Sequence, residues 1–167
     1  MAEVLGMIGI NLAERTTGAG TGLDEGGLFK LGTRCRLDDG GEAIYVHAAA
    51  AITKFYAVAI DENFEAQHIT NTIAKTGHML GFAPDAAFAD NDFGWVRTKG
   101  TNFTVKLMSA CAADISLYTT ATAGKLDDAT SSGVRVDGLV AVTAASTTTD
   151  ALAVEVIASN PVLAGPI

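Results

Sequence analysis

Aromatic, proline and basic residues are all scarce in this 167-residue chain: one Trp, three Tyr, seven Phe and three Pro, with 11 Lys plus Arg against 19 Asp plus Glu. Each shortage argues against a class of function. The net charge of −8 speaks against binding along a nucleic-acid backbone, because displacing counterions from phosphates needs clustered cations. A single tryptophan, Trp95, offers little flat surface on which a sugar could stack. The two cysteines, Cys35 and Cys111, are too far apart for a CxxC-type metal or redox motif. Both stand among strand-type residues, so buried reduced thiols and synthesis in a reducing cytosol are expected. No apolar run approaches the roughly 18 residues of a membrane span. The opening stretch begins with Glu3 and has no basic n-region, which argues against a secretory signal.

What is abundant is small and β-leaning. Hydrophobic residues make up 49% of the chain and are mainly Ala, Val, Leu and Ile, accompanied by 18 glycines and many threonines. A chain of this length buries roughly 68–70% of its unfolded surface, enough for one body or two small halves sharing a core. Residues 1–28 stand apart: they hold Gly6, Gly9, Gly18, Gly20, Gly22, Gly26 and Gly27 and show neither helical nor strand periodicity. Val4, Leu5, Met7, Ile8, Ile10 and Leu12 are nevertheless too apolar for a solvated tail. The expectation is an extended Gly-rich N-terminal arm over 1–28 that orders on a neighbouring surface, followed by a β-rich body over 29–167.

From Phe29 onward short β-type runs alternate with turn signals. Strands are expected near 32–37, 43–47, 55–61, 67–72, 78–83, 94–98, 101–108, 115–120, 135–144 and 151–158. The stretch "KGTN" at 99–102 reads as a hairpin turn and "PDAAFADND" at 84–92 as one helical turn. Strands at this spacing imply an all-β fold with a small barrel or sandwich body. The body also reads as one pattern used twice, over about 41–99 and 100–158, which implies two similar β units. Tyr56 aligns with Tyr118, Gly81 with Gly138, and Trp95-Val96 with residues 154–156.

No catalytic motif stands in the chain, so it is not expected to be an enzyme. In "SLYTTATAGKLDD", residues 116–128, the hydroxyls of Ser116 and Thr119 to Thr122 follow strand alternation rather than the strained turn of a nucleophile elbow. Gly18, Gly20 and Gly22 fit neither phosphate-loop nor dinucleotide spacing and suit a hinge. The acidic clusters at 38–39, 61–62 and 90–92 lack the ligand spacing of a calcium loop, and "DNDFG" reads as a side-chain-bonded turn. His47, His68 and His78 show no zinc-ligand spacing. No cofactor and no metal are expected.

The second half, with "ADISLYTTATAGKLDD", "VDGLVAVTA" and the ending "TTTDALAVEVI", resembles the head decoration, or capsid cement, proteins of tailed bacteriophages. "FGWVRTKG" and the preceding "LGFAPDAAFADND" are similar to a portion of related phage structural proteins. The resemblance spans residues 78–158. It implies a virion protein made in the host cytoplasm that binds the major capsid protein on the capsid exterior as a homo-oligomer, commonly a trimer, without contacting nucleic acid or membrane. The residues expected to make the contact are Leu5, Ile8, Ile10 and Leu12 of the arm, with Phe29 at the start of the body. Another virion role, as a head–tail connector, tail or fibre-associated component, would share the composition. A small carbohydrate-binding or hydrolytic domain would instead need a pocket with facing carboxylates near Trp95 or Tyr56.

Overall fold

The structure is a computed structural model that describes residues 10–18, 27–130, 133–145 and 154–164. Its strands are β1 (Arg15–Thr17), β2 (Arg34–Arg36), β3 (Glu42–Ala48), β4 (Ala57–Ile60), β5 (Glu65–His68), β6 (Met79–Phe82), β7 (Asp92–Val105), β8 (Ser116–Thr119), β9 (Leu126–Asp127), β10 (Arg135–Ala141) and β11 (Val154–Leu163). The sole helical element among the described residues is a 3₁₀ turn at Ile73–Thr76, ended by Gly77 in the left-handed region. The protein is all-β, as its composition implies.

Strands β3, β5, β4, β6 and β7 run side by side in that order, and a ladder of six register pairs between β3 and β7 closes them into a five-stranded barrel. A second sheet follows the order β7-β11-β10-β8-β9. The two share β7 and repeat one topology. In the barrel β4 lies between β5 and β6, and β3 runs parallel to β5 and antiparallel to β7. In the second sheet β8 lies between β9 and β10, while the end of β7 is antiparallel to β11 and leads to a parallel bridge, Leu107↔Leu126, on β9. Among the described residues, closure is a full ladder in the first unit and a single bridge in the second. Gly81 and Gly138 lie on strands β6 and β10, and Trp95-Val96 and 154–156 on β7 and β11, whereas Tyr118 lies within β8 and Tyr56 immediately before β4.

The "KGTN" hairpin does not form. The expected strands 94–98 and 101–108 are one continuous strand, because their edges find better partners than each other: Tyr45 of β3 pairs with Trp95, and Val156 of β11 pairs with Phe103. The ladder passes from β3 to β11 between Lys99 and Gly100. The bend there uses Gly100 at φ 152° and Asn102 at φ 53°. The stretch 84–92 is likewise not a helical turn but a bend held by a bridge between Ile52 and Phe88. The strand expected at 67–72 is β5, shifted two residues earlier, with the 3₁₀ turn after it.

Burial follows from alternation on strands that are covered on both faces. Ile44, Val46, Val58, Ile60, Phe88 and Val96 fill the barrel interior. Between them, Ala57, Ala59, Leu80 and Phe82 point outward and join Phe103, Val105, Leu117, Leu126, Val136 and Leu139 of the second sheet in the largest core cluster. On another outer face Ala43, Tyr45, Phe93 and Trp95 pack with Cys35 under Ile10, Leu12, Phe29, Leu31 and Leu37. The barrel is therefore the middle layer, between the second sheet and the N-terminal segment. β10 alternates between buried and exposed, as expected of a sheet with one wet face.

Gly100→Ala is expected to destabilise the protein by about 1–3 kcal/mol, because a side chain at that φ is strained. The new Cβ would also meet Arg97 Nε at 2.8 Å. The denaturation midpoint checks this, and an unchanged midpoint would show that the bend tolerates a side chain.

Candidate functional site

The N-terminal segment is not wholly an arm outside the body. Residues 10–18 are part of the body: β1 adds to β7 through Arg15↔Gly94, Thr16↔Phe93 and Thr17↔Asp92. It occupies the edge of β7 beyond Arg97, the residue at which β6 makes its one register pair. Arg15 fastens the strand. Its Nη1 donates to the carbonyls of Leu12 and Glu14 at 2.8 Å, its Nη2 to Ala86 O at 2.8 Å and its Nε to Ala87 O at 3.3 Å. The guanidinium lies 3.7 Å above the centre of the Phe88 ring, a favourable cation–π placement. Burial pulls the Arg15 pKa down to about 10 against the opposing charges of Asp92 and Tyr45, so the group remains a cation at neutral pH. Gly94 makes the stack possible, since a Cβ there would lie 2.8 Å from Phe88 and 2.9 Å from Arg15 Nη1.

Of the residues expected to meet a partner, Leu5 and Ile8 lie outside the described residues. Ile10, Leu12 and Phe29 are half-buried against this chain's own Tyr45, Phe93 and Trp95. Phe29, Tyr45 and Trp95 form an edge-to-face triad with ring centroids 5.1–5.3 Å apart. The Tyr45 hydroxyl accepts the Leu28 N–H at 3.1 Å. Trp95 is 1% exposed, so its indole offers no stacking surface to a ligand.

Two clefts flank the docked segment and share Leu12 and Arg97. One, of about 390 Å³, lies between residues 11–13 and the junction of barrel and second sheet, with Phe55, Phe82, Pro84 and Phe103 in its wall. The other, of about 400 Å³, is lined by Ile10, Leu12, Arg36, Leu37, Asp38, Asp39 and Arg97. Arg97 pairs with Asp39, donates to Lys99 O at 3.4 Å and lies 4.8 Å above the Phe103 ring. Burial lowers its pKa, and the nearby charge of Asp38 acts in the opposite direction.

Two hydroxyls of 116–128, those of Thr119 and Thr120, are occupied structurally. Thr119 Oγ1 donates to Asn71 Oδ1 at 2.8 Å and accepts the Val134 N–H at 3.0 Å. Thr120 Oγ1 accepts the Thr122 N–H at 3.1 Å, closing the turn. That turn docks on the barrel: Gly124 O accepts the Ala57 N–H at 2.9 Å, and Gly124 lies flat under Tyr56, whose ring a Cβ would strike at 2.2 Å. Tyr56 also packs against His68 with the rings tilted by 44° and their centroids 5.0 Å apart. His68 Nε2 accepts the Thr53 N–H at 2.9 Å, which only a neutral imidazole can do, and burial holds its pKa below the usual value.

The remaining chemistry-bearing groups fall in separate places. Asp61 Oδ1 accepts the N–H groups of Asn63 and Glu65, forming a side-chain-bonded turn. In "DNDFG", Asp92 Oδ2 accepts the Ala89 N–H at 2.6 Å, while buried Oδ1 has no hydrogen-bond partner. His47 Nδ1 is also buried without a hydrogen bond, 3.7 Å from Glu65. His78 lines a cleft beside Gly77 and Met79. Cys35 and Cys111 are free, buried and in different core clusters. The spatial grouping that spacing did not reveal is Cys111 with Asp127 and Asp128, whose donor atoms lie within 4.8 Å of one another. Burial pushes the Cys111 thiol up to about 12, and the two aspartates push the same way. A metal held there would have to displace a proton from that thiol. Arg15, Gly94 and Arg97 carry no motif; an arginine in "ERTTG" announces nothing until Phe88 is brought beneath it.

Arg15→Ala is expected to cost about 1–3 kcal/mol, from the lost ring contact and the carbonyls left without a cation. Amide exchange at residues 15–17 should accelerate well beyond the global rate, and unchanged protection would show that β1 is held by other means. His68 gives a pH dependence. Its lowered folded pKa means that the unfolded chain binds the proton more readily, so its stabilising contribution is complete above about pH 6.5 and is lost as pH falls through the folded value. The denaturation midpoint should drop between pH 7 and 5, and His68→Gln should flatten that drop; an equal drop in the variant would remove His68 as its cause.

No protein-family model matches the chain, and no curated protein matches it either.

Proposed function

We propose that this chain is a viral structural protein that binds the outer surface of an assembled phage capsid and stabilises it. The observation that carries this reading is the anchoring of the N-terminal segment. Arg15 and β1 fix residues 10–18 to one face of a layered β body, so the apolar stretch "MAEVLGMIG", residues 1–9, starts from a defined point on a firm support. A tether of this kind suits a contact repeated many times over a shell, where modest apolar burial per copy is multiplied by the number of copies. The partner in this reading is the major capsid protein, and the copies act as a homo-oligomer, the trimer being the form that the resemblance implies. A sugar-binding reading centred on Trp95 loses its support, because the indole lies under Phe29 and Tyr45.

Removal of residues 1–9, leaving Ile10 and everything after it, should keep the unfolding temperature and abolish co-sedimentation with assembled heads. A truncated protein that still decorates heads would transfer the contact to the body. In images of the virion the copies should be spread over the shell. Copies confined to the portal vertex or the tail would overturn the decoration reading in favour of a connector or tail component.

A further inference from the structure

Among the described residues, strand β2 presents a strip of positive charge free of ion pairs beside an open strand edge. Residues 27–37 contain Lys30, Arg34 and Arg36 and no acidic residue. All three cations are exposed, and none forms an ion pair among the described residues. Glu42 stands opposite Arg36 across the ladder without bridging to it, and Asp38 and Asp39, at the same cleft, are engaged by Arg97. Arg34 lines a small cleft with Glu42, Lys99 and Val162, the last 58% exposed, and its Nη2 donates to Met79 Sδ at 3.4 Å, so its charge is met there by no carboxylate bridge.

The backbone is as open as the side chains. β2 pairs with β3 alone, through Arg34↔Ile44, Cys35↔Ala43 and Arg36↔Glu42. The Thr33 carbonyl accepts from Tyr45 N, and Leu37 N donates to Gly41 O, so the odd-numbered residues turn their polar groups toward β3. By antiparallel alternation the N–H and C=O groups of Arg34 and Arg36 point away from the sheet, where no described residue pairs with them. Cys35, between them, sends its side chain into the core.

We infer that the outer edge of β2 is a docking site for an acidic, extended segment of a protein partner, which adds to the sheet as a strand. Backbone hydrogen bonds to Arg34 and Arg36 supply the pairing, and alternate acidic side chains reach the two guanidinium groups, with Lys30 extending the field. A peptide fits better than a nucleic acid for two reasons. A strand edge offers bonds that only another peptide backbone can match, and a net charge of −8 repels a long polyanion from everything outside the strip. The site would serve in this way whether or not the chain decorates a shell.

The test uses the full chain with a capped peptide of alternating Glu and Val, its Lys–Val counterpart, a Glu–Pro peptide of equal charge that cannot pair as a strand, and a short single-stranded oligonucleotide. The Glu–Val peptide should bind, with an affinity that falls as salt rises, and should slow amide exchange at Arg34 and Arg36. The double substitution Arg34→Glu with Arg36→Glu should weaken it by at least about tenfold and transfer the preference to the Lys–Val peptide. Because both side chains are exposed, Trp95 fluorescence should report an unchanged fold. Equal binding of the Glu–Pro peptide would overturn strand addition, stronger binding of the oligonucleotide would overturn the choice of partner, and no binding of any probe would overturn the site.

Discussion

One strand bears the whole arrangement. β7 is 14 residues long; its first half closes the barrel against β3, and its second half opens the next sheet against β11. A strand shared in this way cannot shift register in one unit without shifting in the other, and a slip of one residue would turn every side chain to the opposite face. Phe93 and Trp95 would leave the N-terminal layer, Val96 would leave the barrel interior, and Phe103 and Val105 would leave the interface between the units. The register of β7 therefore ties together three core clusters that are otherwise distinct.

The second economy lies in how polar groups are used. Two arginines each lie over a phenylalanine where a nearby glycine leaves room: Arg15 on Phe88 beside Gly94, and Arg97 on Phe103 beside Gly100. The first fixes the N-terminal strand to the barrel, and the second sits where barrel and second sheet meet. Threonine hydroxyls, aspartate turns and His68 are likewise taken up by backbone partners. The cations of β2 contrast with this pattern. Beside these locally engaged groups, β2 presents a basic edge whose outer backbone groups face away from the sheet.

Repetition explains why two units of unequal appearance sit together. The second sheet follows the strand order of the barrel, yet its closing contact shrinks to the bridge between Leu107 and Leu126. The barrel is covered on two outer faces, by the N-terminal segment and by the second sheet, so its strands are nearly continuously buried. The second unit has fewer neighbours and keeps one wet face, visible in the alternation of β10.

Much of this was written in the sequence by local physics. Glycine, threonine and β-branched residues at short spacing dictated an all-β fold, and the positions of most strands follow from alternation and turn residues alone. The sequence pairing of Tyr56 with Tyr118 does not follow the ladders: Tyr118 lies within β8, whereas Tyr56 precedes β4. Tertiary structure decided what depended on distant partners. Lys99-Gly100 became a bend rather than a hairpin because β3 and β11 capture the two flanks. Residues 10–18 joined the body because Phe88, more than 70 residues away, lies under Arg15. Neither the grouping of Cys111 with Asp127 and Asp128 nor the open edge of β2 has a spacing signature. Contacts between residues far apart in the chain leave no local period, so a sequence can specify its strands while the fold alone determines which edges stay open.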